Sequence, residues 1–428
     1  TSLPEIPRSH WKDVELTYAN GLITGKTGLE ETYNERLRGQ HGSKMYEMNA
    51  RGQLFKSFSF LQPSKGADLY THLDIDAQKS AAQFLGNRKG AVVAIDLQSG
   101  GVNVLYSAPT FSINKLSNGM SDQEFQLLIK NAEKPFFNRA LQGRYPPAST
   151  IKPAIGMFGL ANDIVDWEYQ IKDPGFFTLP ETGRIYRGWR KGGHGKVNMR
   201  KAILVSSNTY FFSLAYQSDI IQLAQHLSSL GFGTKICSDC FEEDKVFVPT
   251  PGWKYSMMNA GWVTGDTVNL GIGQGYLVTT PMQLANYASI LANKGKAIEP
   301  SLVVAGNQKK PFRTWKNEGF ANLDWEKMHE ALTGVIESDF GTARSIRSLK
   351  TFQVAGKSGT AELVSLDSKE AYQEVRNSEL LRDHSIIIAF GPMPNPKYAV
   401  SVVIENGESG GAVAGPVAIE VLKSLIDE

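Results

Sequence analysis

The chain has no run of about 18 consecutive apolar residues, the length a helix needs to cross a bilayer. Its first residues, Thr1-Ser2-Leu3-Pro4, are polar and broken by proline, so they carry no signal-peptide pattern. A start at threonine reads as a cut, and an upstream membrane anchor is expected. Charge of one sign is not in excess: 45 basic against 43 acidic residues give a formal net charge of +2. That balance argues against the basic surface that nucleic-acid binders carry, and no nucleic-acid partner is expected. Cysteine is nearly absent. The only two, Cys237 and Cys240, form a C-x-x-C pair that cannot complete a structural zinc site alone. A thioredoxin-type pair opens a helix after a strand. This one follows Gly231-Phe232-Gly233 and precedes Glu242, Glu243 and Asp244, which reads as a polar surface loop. A local disulfide and two inert thiols fit it equally. Internal repeats and low-complexity tracts are also missing.

What is present is an ordinary globular composition, 41% hydrophobic and 21% charged, over 428 residues. That length exceeds the usual single domain and predicts one large domain with a smaller one. Residues 1–65 are polar and turn-rich and read as a small non-catalytic module ending near Pro63-Ser64-Lys65-Gly66. Within it, Gly28 to Leu37 reads as a short helix and Ser43 to Phe60 as an exposed hairpin. In residues 66–428, Asp76 to Leu85 has helical spacing. Gly90 to Asp96 and Val102 to Tyr106 flank a glycine turn and predict a β-hairpin. A second hairpin is expected from Ser385 to Phe390, a turn at Pro394-Asn395-Pro396, and Tyr398 to Ile404. Helical stretches span Thr150 to Ala161, Met199 to Gln217 and Pro281 to Asn293, the last stopped by Lys294-Gly295. Strands at both ends with helices between predict an α+β fold, an antiparallel sheet flanked by helices.

Three short motifs carry candidate chemistry. Ser149-Thr150-Ile151-Lys152 is an S-x-x-K with Pro153 just beyond, where the first turn of a helix tolerates proline. The spacing of three puts Ser149 and Lys152 on one helical face. A hydroxyl becomes a useful nucleophile once a base takes its proton, and lysine does so only when uncharged. Nearby positive charge and burial shift its pKa in that direction. Alone, the pattern also fits a helix-capping serine and a surface lysine. Ser206-Ser207-Asn208 is an S-x-N inside the predicted helix, flanked by Ile203, Leu204, Phe211 and Phe212. It suits a proton-shuttling hydroxyl and an amide that grips a carbonyl, or else simply a polar helix face or a loop between helices. Lys357-Ser358-Gly359-Thr360 follows an apolar lead-in that reads as a strand. Gly359 there lets a substrate backbone approach. An open strand edge pairs with extended peptides, while a lysine on an edge also guards against aggregation.

Each motif is weak alone. In this order they are the signature of penicillin-binding proteins and serine β-lactamases, and the chain resembles that family over most of its length. Tyr145 to Pro153 looks like the family's nucleophile segment. Gly271-Ile272-Gly273-Gln274-Gly275 with Thr280-Pro281-Met282-Gln283-Leu284-Ala285 is similar to a stretch found across its transpeptidases. Asp173-Pro174-Gly175, Tyr186-Arg187, Trp189 and Gly193-His194-Gly195 resemble the class B, elongation-specific branch, penicillin-binding protein 2. Gly25 to Glu30 and Asn49 to Gly52 resemble that branch's pedestal. The resemblance implies a D,D-transpeptidase in which Ser149 is the nucleophile and Lys152 accepts its proton. Ser206 would relay a proton to the leaving amine, and Asn208 would bind the donor peptide's amide. Lys357 and Thr360 would hold the terminal carboxylate, with Ser358 and Gly359 beside them. The N–H groups of Ser149 and Thr360 would form the oxyanion hole. Lys152 and Lys357 as neighbours would disfavour each other's charge.

The resemblance further implies peptidoglycan stem peptides as substrates and β-lactam antibiotics as covalent inhibitors. It also implies a membrane glycosyltransferase of the SEDS family as partner, and a place at the bacterial inner membrane with the catalytic domain in the periplasm. No cofactor is expected. Some relatives complete a metal set around the positions of Asp173 and His194. Here the other two positions are Gly188 and Ser207, so no metal is expected and His194 reads as a structural, hydrogen-bonding histidine. The rival functions are a D,D-carboxypeptidase or β-lactamase passing the acyl group to water, and a non-catalytic β-lactam sensor or scaffold.

Overall fold

The computed structural model describes residues 24–40, 42–304, 314–316, 323–363 and 381–427. Residues 1–23 of the expected N-terminal module lie outside these. The chain divides into two compact units: Thr1–Thr71 with Asp239–Glu242, and His72–Ser238 with Glu243–Glu428.

In the first unit, the helix expected over 28–37 is two short helices, Gly28–Thr32 and Asn34–Arg38, broken at Tyr33. Asn34 supplies a reason for the break. Its side-chain oxygen accepts from the Gly25 N–H and the Thr24 hydroxyl, tying back the preceding turn as asparagine does at turns. Beyond lies an antiparallel hairpin of Ser43–Met48 and Leu54–Leu61. Most side chains of its first strand are exposed, as the loose alternation of the sequence suggested.

The second unit is built on a five-stranded sheet. Its strands are β1 (Gly90–Asp96), β2 (Val102–Ala108), β3 (Gln353–Ala361), β4 (His384–Met393) and β5 (Tyr398–Ile404). They lie in the order β3-β4-β5-β1-β2, every pair antiparallel. Both predicted hairpins are present. The N- and C-terminal strands meet where β5 pairs with β1, Val402 opposite Val92. Strand β3 is an edge, paired on one side only.

The principal helices are α1 (Ile75–Leu85), α2 (Lys152–Ala161), α3 (Met199–Leu204), α4 (Asn208–Tyr216), α5 (Pro281–Ala292), α6 (Trp325–Glu337) and α7 (Gly415–Ile426). Helix α7 packs on the central strands β4 and β5 and on α1, which lies against β2, while α5 packs on β1, β4 and β5. That is why the central strands read as continuous apolar runs. All twelve residues of α5 are buried, because it is wedged between the sheet and the helical cluster. Its start is fixed by a capping box between Thr280 and Gln283, with Pro281 in the first turn. Residues Lys294 (φ 52°) and Gly295 (φ 85°) end it in the left-handed region, as the sequence predicts.

One helix prediction fails. Met199 to Gln217 is not continuous: it is α3, a tight reversal at Val205–Ser207, and α4. Ser207 is the reason: its hydroxyl accepts the Tyr210 N–H and begins a new helix. Cys237 and Cys240 are disulfide-bonded, which settles the choice between the two readings of that pair. Beside them the carboxylate of Glu243 accepts the N–H groups of Ile236 and Cys237. Burial raises its pKa to about 7.

Candidate active site

Ser149 sits in a tight 3-10 turn, Ala148–Ile151, that runs directly into α2. In such a turn residues three apart eclipse one another, which stacks Ser149 and Lys152 more closely than an α-helix would. The turn is fastened from behind. Tyr145 pairs with Thr279 through both backbone groups, and its hydroxyl donates to Glu405 Oε1 at 2.9 Å. The Arg139 guanidinium donates to the same oxygen at 2.8 Å. Ala148 has φ 50°, unusual for a residue with a Cβ, and its N–H donates to the Gly273 carbonyl at 2.9 Å. Only glycine fits opposite it. A Cβ on Gly273 would lie 2.3 Å from the Ala148 oxygen, and its φ is +72°. The repeated glycines of Gly271 to Gly275 are the sequence signal for this contact.

Lys152 is fully buried in the first turn of α2, and Lys357 is fully buried on β3. Their amines converge on Ser206. Lys152 Nζ lies 2.9 Å from the Ser206 carbonyl, 3.1 Å from Ser206 Oγ and 2.7 Å from Asn208 Oδ1. Lys357 Nζ donates to Ser206 Oγ at 2.9 Å and to its neighbour's carbonyl, Ser358 O, at 3.0 Å. Among the described residues neither amine has a carboxylate partner. Burial, and then the positive Lys357, hold Lys152 far below the ordinary lysine range, opposed only by the more distant Asp173. Burial brings Lys357 to about 7. An uncharged Lys152 spends two N–H groups on the Ser206 carbonyl and Asn208, and its lone pair is left to receive a proton. Ser206 accepts from Lys357 and donates toward Lys152, so its hydroxyl is a bridge between two amines. Its backbone is bent to reach that place, with φ +55°.

The remaining motif residues divide. Gly359 abuts the serine turn; a Cβ there would lie 3.1 Å from Thr150 Cγ2 and 3.2 Å from the Pro147 oxygen. Thr360 is exposed. Ser358, on the opposite side of the strand from Lys357 by alternation, exchanges a 2.8 Å hydrogen bond with Thr342. Ser149 itself is half-buried, while the other three residues of its turn and both lysines are buried.

Asp173 is buried, and its two oxygens are taken by the Ser207 hydroxyl at 2.6 Å and the Gly175 N–H at 2.8 Å. His194 stands nearby with its ring against Trp189, at 5.3 Å between centroids, and burial lowers its pKa. The Trp189 indole N–H reaches the carbonyls of Val205 and Ser206, each at 3.2 Å. Sequence reasoning gave neither the Asp173–Ser207 bond nor the Trp189 contact, since nothing in either residue's neighbourhood marks a partner so distant in the chain.

The Penicillin binding protein transpeptidase domain model matches residues 90–423, and the Penicillin-binding Protein dimerisation domain model matches residues 3–71. The chain is 40% identical over 404 residues to the peptidoglycan D,D-transpeptidase MrdA of Acinetobacter baumannii, covering 93% of this chain and 60% of that protein. To the Escherichia coli K12 protein of the same name it is 33% identical, covering 94% of this chain and 66% of that one. The chain thus spans about two thirds or less of these relatives' length. Among solved structures, Pseudomonas aeruginosa PBP2 in complex with WCK 5153 superposes with a TM-score of 0.80 at 33% identity, over 95% of this chain and 84% of that one. The Helicobacter pylori PBP2 in its complex with MreC gives 0.83 at 30%, over 94% and 72%.

Proposed function

The chain belongs to the penicillin-binding protein transpeptidase family, and on that footing we propose that it is a serine D,D-transpeptidase of peptidoglycan cross-linking. The observation that carries the proposal is the meeting of two buried lysines, without carboxylate partners among the described residues, at one hydroxyl, with half-buried Ser149 one turn before Lys152. Ser149 Oγ attacks the carbonyl carbon between the two terminal D-alanines of a stem peptide, and uncharged Lys152 takes its proton. The N–H groups of Ser149 and Thr360 bind the oxyanion that appears only in the tetrahedral state, so they act on rate. Collapse breaks the C–N bond. The departing D-alanine nitrogen receives the proton through Ser206, leaving an ester on Ser149. The amine of a neighbouring stem attacks the ester, forms the cross-link and frees the serine. Asn208 grips the donor's amide, while Lys357 and Thr360 hold the terminal carboxylate, with Ser358 and Gly359 completing the strand along which the peptide lies.

Residues 1–65 serve as a non-catalytic pedestal and residues 66–428 as the catalytic domain. A relative's complex with MreC, and a neighbour described as a peptidoglycan synthase complex coordinating polymerization and crosslinking, support work alongside the elongation machinery. A SEDS-type membrane glycosyltransferase is the partner we propose, at the inner membrane with the catalytic domain in the periplasm. No helix among the described residues is long and apolar enough to cross a membrane.

Incubation with a fluorescent penicillin tests the reaction. Wild type becomes labelled at Ser149 and Ser149→Ala does not; label retained by the alanine variant overturns the assignment. An adduct that persists for hours fits a transpeptidase, whereas release within a fraction of a second means a β-lactamase.

A further inference from the structure

Trp189 is 61% exposed, yet the polar end of its ring is turned inward. The indole N–H is shared between the Val205 and Ser206 carbonyls, 3.2 Å from each. These carbonyls follow the last turn of α3, where helix geometry leaves C=O groups without intrahelical donors. The bond falls on the reversal that puts Ser206 at φ +55°, a left-handed conformation unfavourable to a non-glycine residue. The Ser206 carbonyl is the same oxygen that lies 2.9 Å from Lys152 Nζ. An ammonium bonds such an oxygen more strongly than an amine does, and a second donor on the same oxygen lessens that difference.

We propose that Trp189 is a positioning residue, whose indole N–H holds Ser206 in its left-handed turn and shares the Ser206 carbonyl with Lys152, weakening that oxygen's preference for the protonated amine. The inference rests on the reading of Lys152 as the base. Its effect is exerted through Ser206 and requires no contact between Trp189 and substrate. The charged and titratable groups facing Lys152 are Lys357 from β3, Asp173 from the strand Ile171–Asp173, and His194 from the loop that also carries Trp189. The Phe211 ring, 5.6 Å from Nζ, and the Asn208 amide complete its surroundings. Trp189→Phe leaves Lys357, Asp173, Asn208 and Phe211 in place, while His194, packed on the Trp189 ring at 5.3 Å between centroids, meets a smaller ring.

Trp189→Phe keeps an aromatic ring and deletes the donor. The second-order rate of Ser149 acylation by a fluorescent penicillin is followed from pH 5 to 9 in the full chain, with thermal unfolding as a check on the fold. In wild type the rate falls on the acid side as the buried Lys152–Lys357 pair, joined through Ser206 Oγ, gains protons. The variant is expected to acylate about tenfold more slowly at pH 7, with its acid limb displaced upward by about half to one pH unit, the worth of one hydrogen bond. A limb that stays in place, whether or not the rate falls, overturns the inference. So does a loss confined to the affinity of the initial noncovalent complex, which makes Trp189 a substrate contact instead. If wild type labels at Ser149 but shows no acid limb, the reading of Lys152 as base fails and this inference falls with it. A limb present in wild type and unmoved in the variant rejects Trp189 alone.

Discussion

Lys152 and Lys357 share a single hydroxyl, their amines 3.1 and 2.9 Å from Ser206 Oγ. Two cations cannot both be held there without a counter-charge, and burial removes water as the remedy. The pair therefore keeps at least one amine neutral, and among the described residues Ser206 is the group hydrogen-bonded to both. Ser206→Ala is expected to slow acylation of Ser149 by about 10²–10⁴-fold, the range for loss of a proton-transfer group. Stopped-flow acylation measures it; a variant within threefold of wild type removes Ser206 from the proton path.

Lys357 links the site to stability. Its folded pKa, about 7, lies below its ordinary 10.5. The unfolded chain therefore binds more protons between those values, and wild-type stability rises with pH across that window. Lys357→Met removes this dependence. Denaturant unfolding at pH 7 and pH 10 is expected to show the variant's relative stability falling by a few kcal/mol as pH increases. A relative stability that stays constant or rises with pH contradicts the burial argument.

Gly273→Ala puts a methyl against the Ala148 backbone and strains a residue at φ +72°. The nucleophile turn must shift by a fraction of an ångström to an ångström. Misplacement on that scale costs about 10² in rate. Acylation is expected to drop accordingly while reduction of the Cys237–Cys240 disulfide leaves the rate unchanged. Full acylation activity in Gly273→Ala shows that the turn does not depend on this contact.

Ser207→Ala deprives the buried Asp173 of a 2.6 Å donor and α4 of its cap. The two losses sum to roughly 2–4 kcal/mol. Equilibrium unfolding reads the difference, and a loss below about 0.5 kcal/mol shows that water replaces the hydroxyl there.

Much of this architecture was legible because its signals are local. Apolar runs around a glycine turn and a proline turn marked the two hairpins, and Lys294-Gly295 marked the end of α5. The S-x-N motif was misplaced inside a continuous helix because residues 199–217 are periodic throughout. A left-handed serine announces itself with neither glycine nor asparagine. The burial of Lys152 and Lys357 was likewise invisible: each sits in a stretch that equally describes a surface lysine, and only tertiary packing removes the water. Trp189 and Asp173 act on residues reached through the fold rather than along the chain.

The fastening of Tyr145 to Glu405 and Arg139 places part of the control of the attacking oxygen outside the cleft. On the proposed reaction, acylation by an inhibitor can therefore be weakened without altering any group that the inhibitor touches. Loosening this distant clasp relaxes the serine turn and slows attack on inhibitor and peptide alike. Substitutions at Arg139 or Glu405 should then surface together with compensating changes along the Gly271–Gly275 segment.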